Sequence, residues 1–321
     1  MQARGETLAP GIIFDSDIGR DIDTVAALSM LHALGRGRLI GVGVHYSSLD
    51  AAAFCDAVAR FYGIGGGLPI GVPEEGPKLA DVPMLRVPLA MKNEEGQPLL
   101  RHVIRSITDT ADPTVVFRNA LLTQQDKQGF AVLAAPATNF ARTLQLYRAR
   151  EVVTSKVRLL IMAAGSFSGT AADPRIRADI ASARKLLTEW PSPVVAVGLE
   201  AGEAVPFPAR SMETDFAPMP NHPLIAAYRA YRAGQNPEPA GFSSQAVLAA
   251  LYAANPGAPY FTMSPPGTID VSDDGRTRFK ESSNGNHRYL IVDPAQKESI
   301  TKAFIALATT RPATGRGGAR N

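Results

Sequence analysis

From Gly11 to Val72 the chain alternates between apolar β-type runs and alanine- and leucine-rich stretches, and this rhythm narrows the possible fold more than any other feature. Gly11 to Asp15 is a short apolar run that ends in acids. Thr24 to Leu34 reads as a helix, Leu39 to Val44 as a second strand, Ala51 to Tyr62 as a helix closed by Gly63, and Leu68 to Val72 as a third strand. Strands linked through helices pair in parallel, because each helix carries the chain back to the same end of the sheet. The rhythm resumes after a loop-rich stretch, Pro73 to Pro98. Phe130 to Ala135, Val157 to Ala163 and Val194 to Leu199 read as strands; Asn139 to Arg148 and Asp179 to Trp190 read as helices. Pro206 to Pro223 is Pro-rich and is expected to be a long surface loop, followed by helices at Pro223 to Ala233 and Ser244 to Ala254. Thr268 to Val271 and Arg276 to Phe279, joined through Asp273-Asp274-Gly275, predict a hairpin, with His287 to Val292 as a further short strand. The expected class is α/β: a mostly parallel central sheet flanked by helices, with a C-terminal β-hairpin. One domain over residues 1–310 and a disordered basic tail over 311–321 complete the expectation.

Composition removes several functions. No apolar run approaches the ~20 residues of a membrane span, and Met1 to Pro10 is polar and lacks the apolar stretch of a secretory signal. The pI near 9.0 suggests nucleic acid at first sight. The formal charge is only +3, however, and Arg311, Arg316 and Arg320 in the acid-free tail account for it. No basic stripe with interleaved aromatics is present, so nucleic acid is not an expected partner. The single cysteine, Cys55, excludes a disulfide framework and a cysteine-built zinc site, and its alanine-rich surroundings mark it as core filler. A homo-oligomer is compatible with this composition. No address is legible beyond the cytoplasm as a default, with export left open.

In open parallel sheets ligands bind beyond the carboxyl ends of the strands. Chemistry is therefore expected after Phe14, Val44, Ala135 and Ala163. The first of these places holds Asp15, Asp17, Asp21 and Asp23, four carboxylates within nine residues. So many acids on one turn repel each other unless a cation or hydrogen-bond donors compensate. Clustered hard oxygens suit Ca²⁺ or Mg²⁺. Arg20 offsets part of the charge, and a solvated acidic turn is the plainer alternative.

The segment Asp15-Ser16-Asp17-Ile18-Gly19-Arg20-Asp21-Ile22-Asp23, entered from Gly11-Ile12-Ile13-Phe14 and followed by Ala26-Ala27-Leu28, resembles the opening motif of inosine-uridine nucleoside hydrolases. It is closest to the variant with Ile after the second Asp and one residue more than the commoner Pro-Gly form. Tyr62-Gly63 before Leu68-Pro69-Ile70-Gly71-Val72 fits the next unit. Ala135-Pro136-Ala137-Thr138-Asn139 fits the family's Pro-Leu-Thr-Asn turn. Tyr260-Phe261 through Asp274-Gly275-Arg276-Thr277 to His287-Arg288-Tyr289-Leu290 is similar to the C-terminal hairpin of one bacterial branch. The resemblance implies a calcium-dependent hydrolase that cleaves the N-glycosidic bond of a ribonucleoside. On that reading Asp17 is the general base and a metal ligand, and Asp23 binds ribose hydroxyls. Thr138 offers a carbonyl to the metal, Asn139 lies against the substrate, and Asp15 supports the loop.

The match departs at the metal. The Asp expected after Asp23 is Thr24. The later metal-binding Asp falls where Ser243-Ser244-Gln245 stands, and no Asp, Glu or His occurs between Pro239 and Leu251. The family's Glu-x-Asn segment, which holds the ribose end, corresponds to Asp173-Pro174-Arg175, and the Asn after the second strand to Ser47 or Ser48. Asp173 and Ser48 thus join the expected substrate contacts. Asp21 is the candidate replacement ligand, and calcium is expected to bind weakly or not at all. Arg20, Arg175 and Arg177 open another route: an anionic group on a changed substrate, or a guanidinium in the cation's place. For Arg175 and Arg177 exposed charges at a helix start are the plain alternative.

The five histidines form no metal spacing. His45, after a strand, is the best placed to protonate a leaving base, although a hydrogen-bonded structural role suits it better. His32 and His102 are expected in helices, His222 at a helix start and His287 near the hairpin. Two functional classes follow: an N-ribosyl hydrolase with an altered metal site, and a homologue that has lost catalysis and binds a nucleoside or sugar. A phosphotransferase of the haloacid dehalogenase type shares the Asp-x-Asp start but needs Thr or Val where Gly19 stands. Gly165-Ser166-Phe167-Ser168-Gly169 lacks the central nucleophile of a serine-hydrolase elbow.

Overall fold

A computed structural model describes residues 10–35, 38–64, 66–169, 171–233 and 240–312. Most of the expected tail, 313–321, lies outside the described residues. The first strands are β1 (Gly11–Ser16), β2 (Leu39–Val44), β3 (Ile70–Gly71), β4 (Gly129–Ala134), β5 (Val157–Met162) and β6 (Val194–Ala196). They pair in parallel in the order β3-β2-β1-β4-β5-β6. His287–Ile291 extends the sheet in parallel beside β6, and the antiparallel hairpin Gly267–Val271 with Thr277–Glu281 closes that edge. The α/β class with a mostly parallel central sheet holds.

Side-chain alternation along β1 separates two cores. Ile12 and Phe14 enter one hydrophobic cluster and Ile13 the other, as successive strand residues must. On the first face lie the helices Ile22–Ala33 and Gln245–Ala254, in which nearly every residue is buried. A helix apolar all round belongs in the interior. These two pack against each other, and both begin at the carboxyl end of the sheet.

Several local expectations need correction. The stretch expected as loop, Pro73 to Pro98, contains the helix Pro83–Ala90, whose Leu85 is fully buried. Leu79 and Leu85 press on the acidic loop at Gly19, where φ is +100° and an added Cβ would lie 2.4 Å from Leu79. Pro206 to Pro223 is no surface loop: it holds the helix Ala209–Thr214, and Phe207 and Phe216 are buried in the core. The proline content set positions that begin strands and helices, where a missing N–H costs nothing. The helix expected over Asn139 to Arg148 ends at Thr143, and a turn through Arg148, whose φ is +58°, leads to a second helix, Ala149–Lys156. His102 lies outside any helix, its ring bonded to the Ile104 carbonyl. Helices at Pro113–Leu122 and Lys297–Ala308 had no counterpart in the sequence reading.

Candidate functional site

The carboxyl end of β1 delivers the acidic loop to the centre of the sheet. Asp15 ends on the Ile13 face and is fully buried. Its Oδ1 accepts from Asn139 Nδ2 at 3.0 Å, and that amide also donates to the Val44 carbonyl at 3.1 Å. Gly43 makes the approach possible, since a Cβ there would sit 2.8 Å from Asp15 Oδ1 and closer still to Phe117. Asp15 Oδ2 is buried without a partner. Burial pushes this carboxyl up to about 8, the Asn139 bond pulls it back in part, and the Asp17 charge adds to the rise. Asn139 thus braces Asp15 beneath the loop. Thr138, next to it, gives its hydroxyl to Asp179 at 2.6 Å.

Opposite the loop stands a wall the resemblance did not foresee. Asp173 caps the short helix Pro174–Ala178 through the Arg175 N–H, and its other oxygen accepts from the Gly165 N–H and from Gln245 Nε2. The backbone under Arg175 is therefore pinned. Its guanidinium reaches across to the loop: Nε donates to Asp17 Oδ2 at 2.9 Å, and Nη2 to Asp17 Oδ1 at 3.4 Å and Asp23 Oδ1 at 3.2 Å. Nη1 donates to Gln245 Oε1 at 2.9 Å and to the Ala163 carbonyl at 3.3 Å. The side chains of Arg175, Asp17 and Asp23 are 6%, 1% and 4% exposed, so the pairing is shut off from solvent. Burial works against the charge of Arg175, but Asp17 and Asp23 outweigh it and hold the guanidinium protonated. Arg175 is therefore no exposed charge at a helix start: it is buried on the carboxylates of the acidic loop. Arg177 instead lies against Gly275 of the hairpin turn.

Asp23 shows how closely the site is tied to the two buried helices. It stands in the first turn of Ile22–Ala33, yet its Oδ2 accepts from the Ala246 N–H of the neighbouring helix at 2.8 Å. The carboxylate thus caps the N-terminus of the other helix, where the dipole favours negative charge. Burial still raises its pKa, with Arg175 opposing. Thr24 is fully buried and turns its hydroxyl to the Asp21 carbonyl at 2.7 Å. Gln245 holds Arg175 with its oxygen and Asp173 and the Val197 carbonyl with its nitrogen, so the acid-free segment is a hydrogen-bonding hub.

Of the loop's four acids only Asp21 is partly open. Burial raises its pKa and the Arg175 charge opposes the rise. His45, after β2, is 5% exposed; burial lowers its pKa, the charges of Asp17 and Asp179 resist, and its Nδ1 has no partner. Ser48 caps the helix Leu49–Phe61, accepting from the Ala51 N–H. Sequence reasoning missed Glu200, after β6, whose Oε1 accepts from the Phe167 N–H while Oε2 is buried and unpartnered. The remaining histidines are structural. His222 caps a helix and bonds Tyr62 at 2.9 Å, His287 accepts from the Ile269 N–H, and His32 stacks on Tyr62. Cys55 is buried, its thiol pushed up to about 12.

The calcium that the resemblance implies does not fit these residues. The carboxylate oxygens that would face it already accept from one guanidinium, and Thr24 has turned away. Among the described residues no three His, Cys, Asp or Glu side chains are grouped to hold a metal ion.

No family profile matches the sequence, and no curated protein matches it. Solved structures do. A purine-preferring ribonucleoside hydrolase from Gardnerella vaginalis superposes with a TM-score of 0.69 at 16% identity, over 94% of this chain and 99% of that one. The inosine-uridine preferring nucleoside hydrolase from Bacillus anthracis gives 0.69 at 17% identity, again over 94% and 99%. An inosine-guanosine nucleoside hydrolase gives 0.69 at 14%, over 93% and 98%. At these identities what is shared is the fold, end to end.

Proposed function

We propose that the chain binds a ribonucleoside or a related sugar at the acidic loop, and that calcium-assisted hydrolysis of the N-glycosidic bond is not its chemistry. The observation that carries this reading is the Arg175 guanidinium on Asp17 and Asp23. Asp17, expected as general base, is 1% exposed and bonded through both oxygens. A water could reach it only if Arg175 withdrew. Asp23, Asn139 and Asp173, expected to touch substrate, enter this reading as positioning residues, each engaged by protein donors or acceptors. The ligand contacts pass to groups that solvent reaches, the partly open Asp21 and Ser48, while Glu200 Oε2 and His45 Nδ1 are unpartnered but buried. A carboxylate and a hydroxyl suit the hydroxyls of a sugar. The fold shared with nucleoside hydrolases supports the choice of ligand class.

One observation favours a second reading, in which N-glycosidic hydrolysis survives without a metal. Asp21 is open enough to meet a ligand, and burial raises its carboxyl above the ordinary range, the direction in which a proton-transfer group is tuned.

Both readings are tested by mixing the full chain with purine and pyrimidine ribonucleosides and ribose, with calcium or with EDTA. The expected result is a saturable rise in Tm with at least one of them and no release of base. Calcium-stimulated release of base would overturn the proposal. Release that persists in EDTA and disappears in Asp21→Asn would establish the second reading instead.

A further inference from the structure

We infer that Arg175 is a tethered replacement for a bound cation, and that the oxygens around it form a divalent-cation site only when its side chain is taken away. A guanidinium has five N–H groups. Here it meets five acceptors, all oxygen: Asp17 Oδ1 and Oδ2, Asp23 Oδ1, Gln245 Oε1 and the Ala163 carbonyl. Two carboxylates, an amide oxygen and a backbone carbonyl gathered around one guanidinium are the donor types that Ca²⁺ takes, six to eight oxygens in all with water completing the shell. The set is held from behind. Gln245 is fixed through its nitrogen to Asp173 and the Val197 carbonyl, and Asp23 through its second oxygen to the Ala246 N–H. Loss of Arg175 therefore leaves the oxygens facing an uncompensated space. Two buried carboxylates without a partner demand a cation or protons. The inference shares the geometry of Arg175 with the binding reading and does not involve the nucleoside.

The test uses the full chain stripped with EDTA, calorimetric titration with CaCl2, and thermal unfolding with and without it. Wild type should bind no calcium, and neither EDTA nor millimolar calcium should move its Tm. Arg175→Ala should unfold at lower temperature, bind one calcium per chain, and regain Tm as calcium is added. Arg175→Lys, which keeps a cation, should bind none. Arg175→Ala combined with Asp17→Asn should lose at least tenfold in calcium affinity. If Arg175→Ala does not accumulate as folded protein, refolding it from denaturant should give native chain with calcium and none with EDTA. One calcium bound by wild type would overturn the inference, as would a folded Arg175→Ala that ignores calcium or a refolding yield that calcium does not change. Failure of nucleosides to shift the wild-type Tm would sink the binding reading and leave this one standing.

Discussion

On one side of the site, Asp15 to Asp23 keeps four carboxylates in nine residues; the wall facing it, Asp173 to Arg175 with Gln245, adds one buried cation and a neutral amide. The loop side carries the segment on which the family resemblance rests. The wall is where this chain departs from that resemblance. Yet each is intelligible only through the other. The loop's crowding would be untenable without the guanidinium, and a buried guanidinium would be untenable without the loop. The difference teaches that charge balance belongs to the pair of surfaces. In this chain the crowded acids are neutralised by a side chain from the facing wall.

The sharpest way to break this comparison is to remove the wall's cation. Arg175→Met keeps most of the side-chain volume but strands Asp17 and Asp23, so urea unfolding in EDTA should show a loss of about 3–5 kcal/mol. A variant as stable as wild type would mean the two surfaces are not coupled. Asp15 probes the loop side through pH. Its folded pKa of about 8 lies above the ordinary 3.8, so the native state holds this proton more tightly than the unfolded chain. Its contribution to stability is complete below about pH 4 and declines as pH rises towards 8. Asp15→Asn removes the titration, and its stability relative to wild type should improve by a few kcal/mol between about pH 5 and about pH 9. A flat difference across that window would show that Asp15 is ionised in the native state.

Gln245→Ala deletes the acceptor for Arg175 and two donated bonds, and should cost about 1–3 kcal/mol in the same unfolding experiment. Because it removes no charge, its cost should remain below that of Arg175→Met; the reverse order would make the amide the true centre of the wall. Ser48→Ala should cost about 1 kcal/mol through the lost helix cap. If Ser48 also meets a ligand, this variant alone among the four will weaken a ribose- or nucleoside-induced Tm shift without a matching loss of stability.

The periodic parts of this protein were legible in its sequence. β1, β2, β4 and β5 are apolar runs bounded by turn residues, and the structure places them within a residue or two of the expected ends. Pro206 to Pro223 was misread because proline content says where hydrogen bonds are missing, whereas the burial of Phe207 and Phe216 depends on distant partners such as Phe242 and Phe304. The acidic loop was legible as a cluster, since its acids are neighbours in sequence. The loss of acids near Gln245 was legible too. What the sequence did not resolve was which arginine compensates. Arg175 and Arg177 share one short helix, and only the Asp173 cap and the Gln245 contact turn the first inward. The signal was a simultaneous loss of acids and gain of a base on one wall, and it became decisive only in three dimensions.

The pairing of Arg175 with Asp17 joins residues 158 positions apart. A ribosome adding roughly 5–20 residues per second delivers the acidic loop some 8–30 s (roughly) before its counter-charge. An ion from solution would have been present throughout that interval; a side chain is not. During synthesis the nascent β1–β2 unit must therefore keep its acids hydrated or protonated, and the two helices that Asp23 bridges have no reason to dock until Gln245 and Ala246 have also emerged. Closure of the site can follow only once Arg175, Gln245 and Ala246 have all emerged.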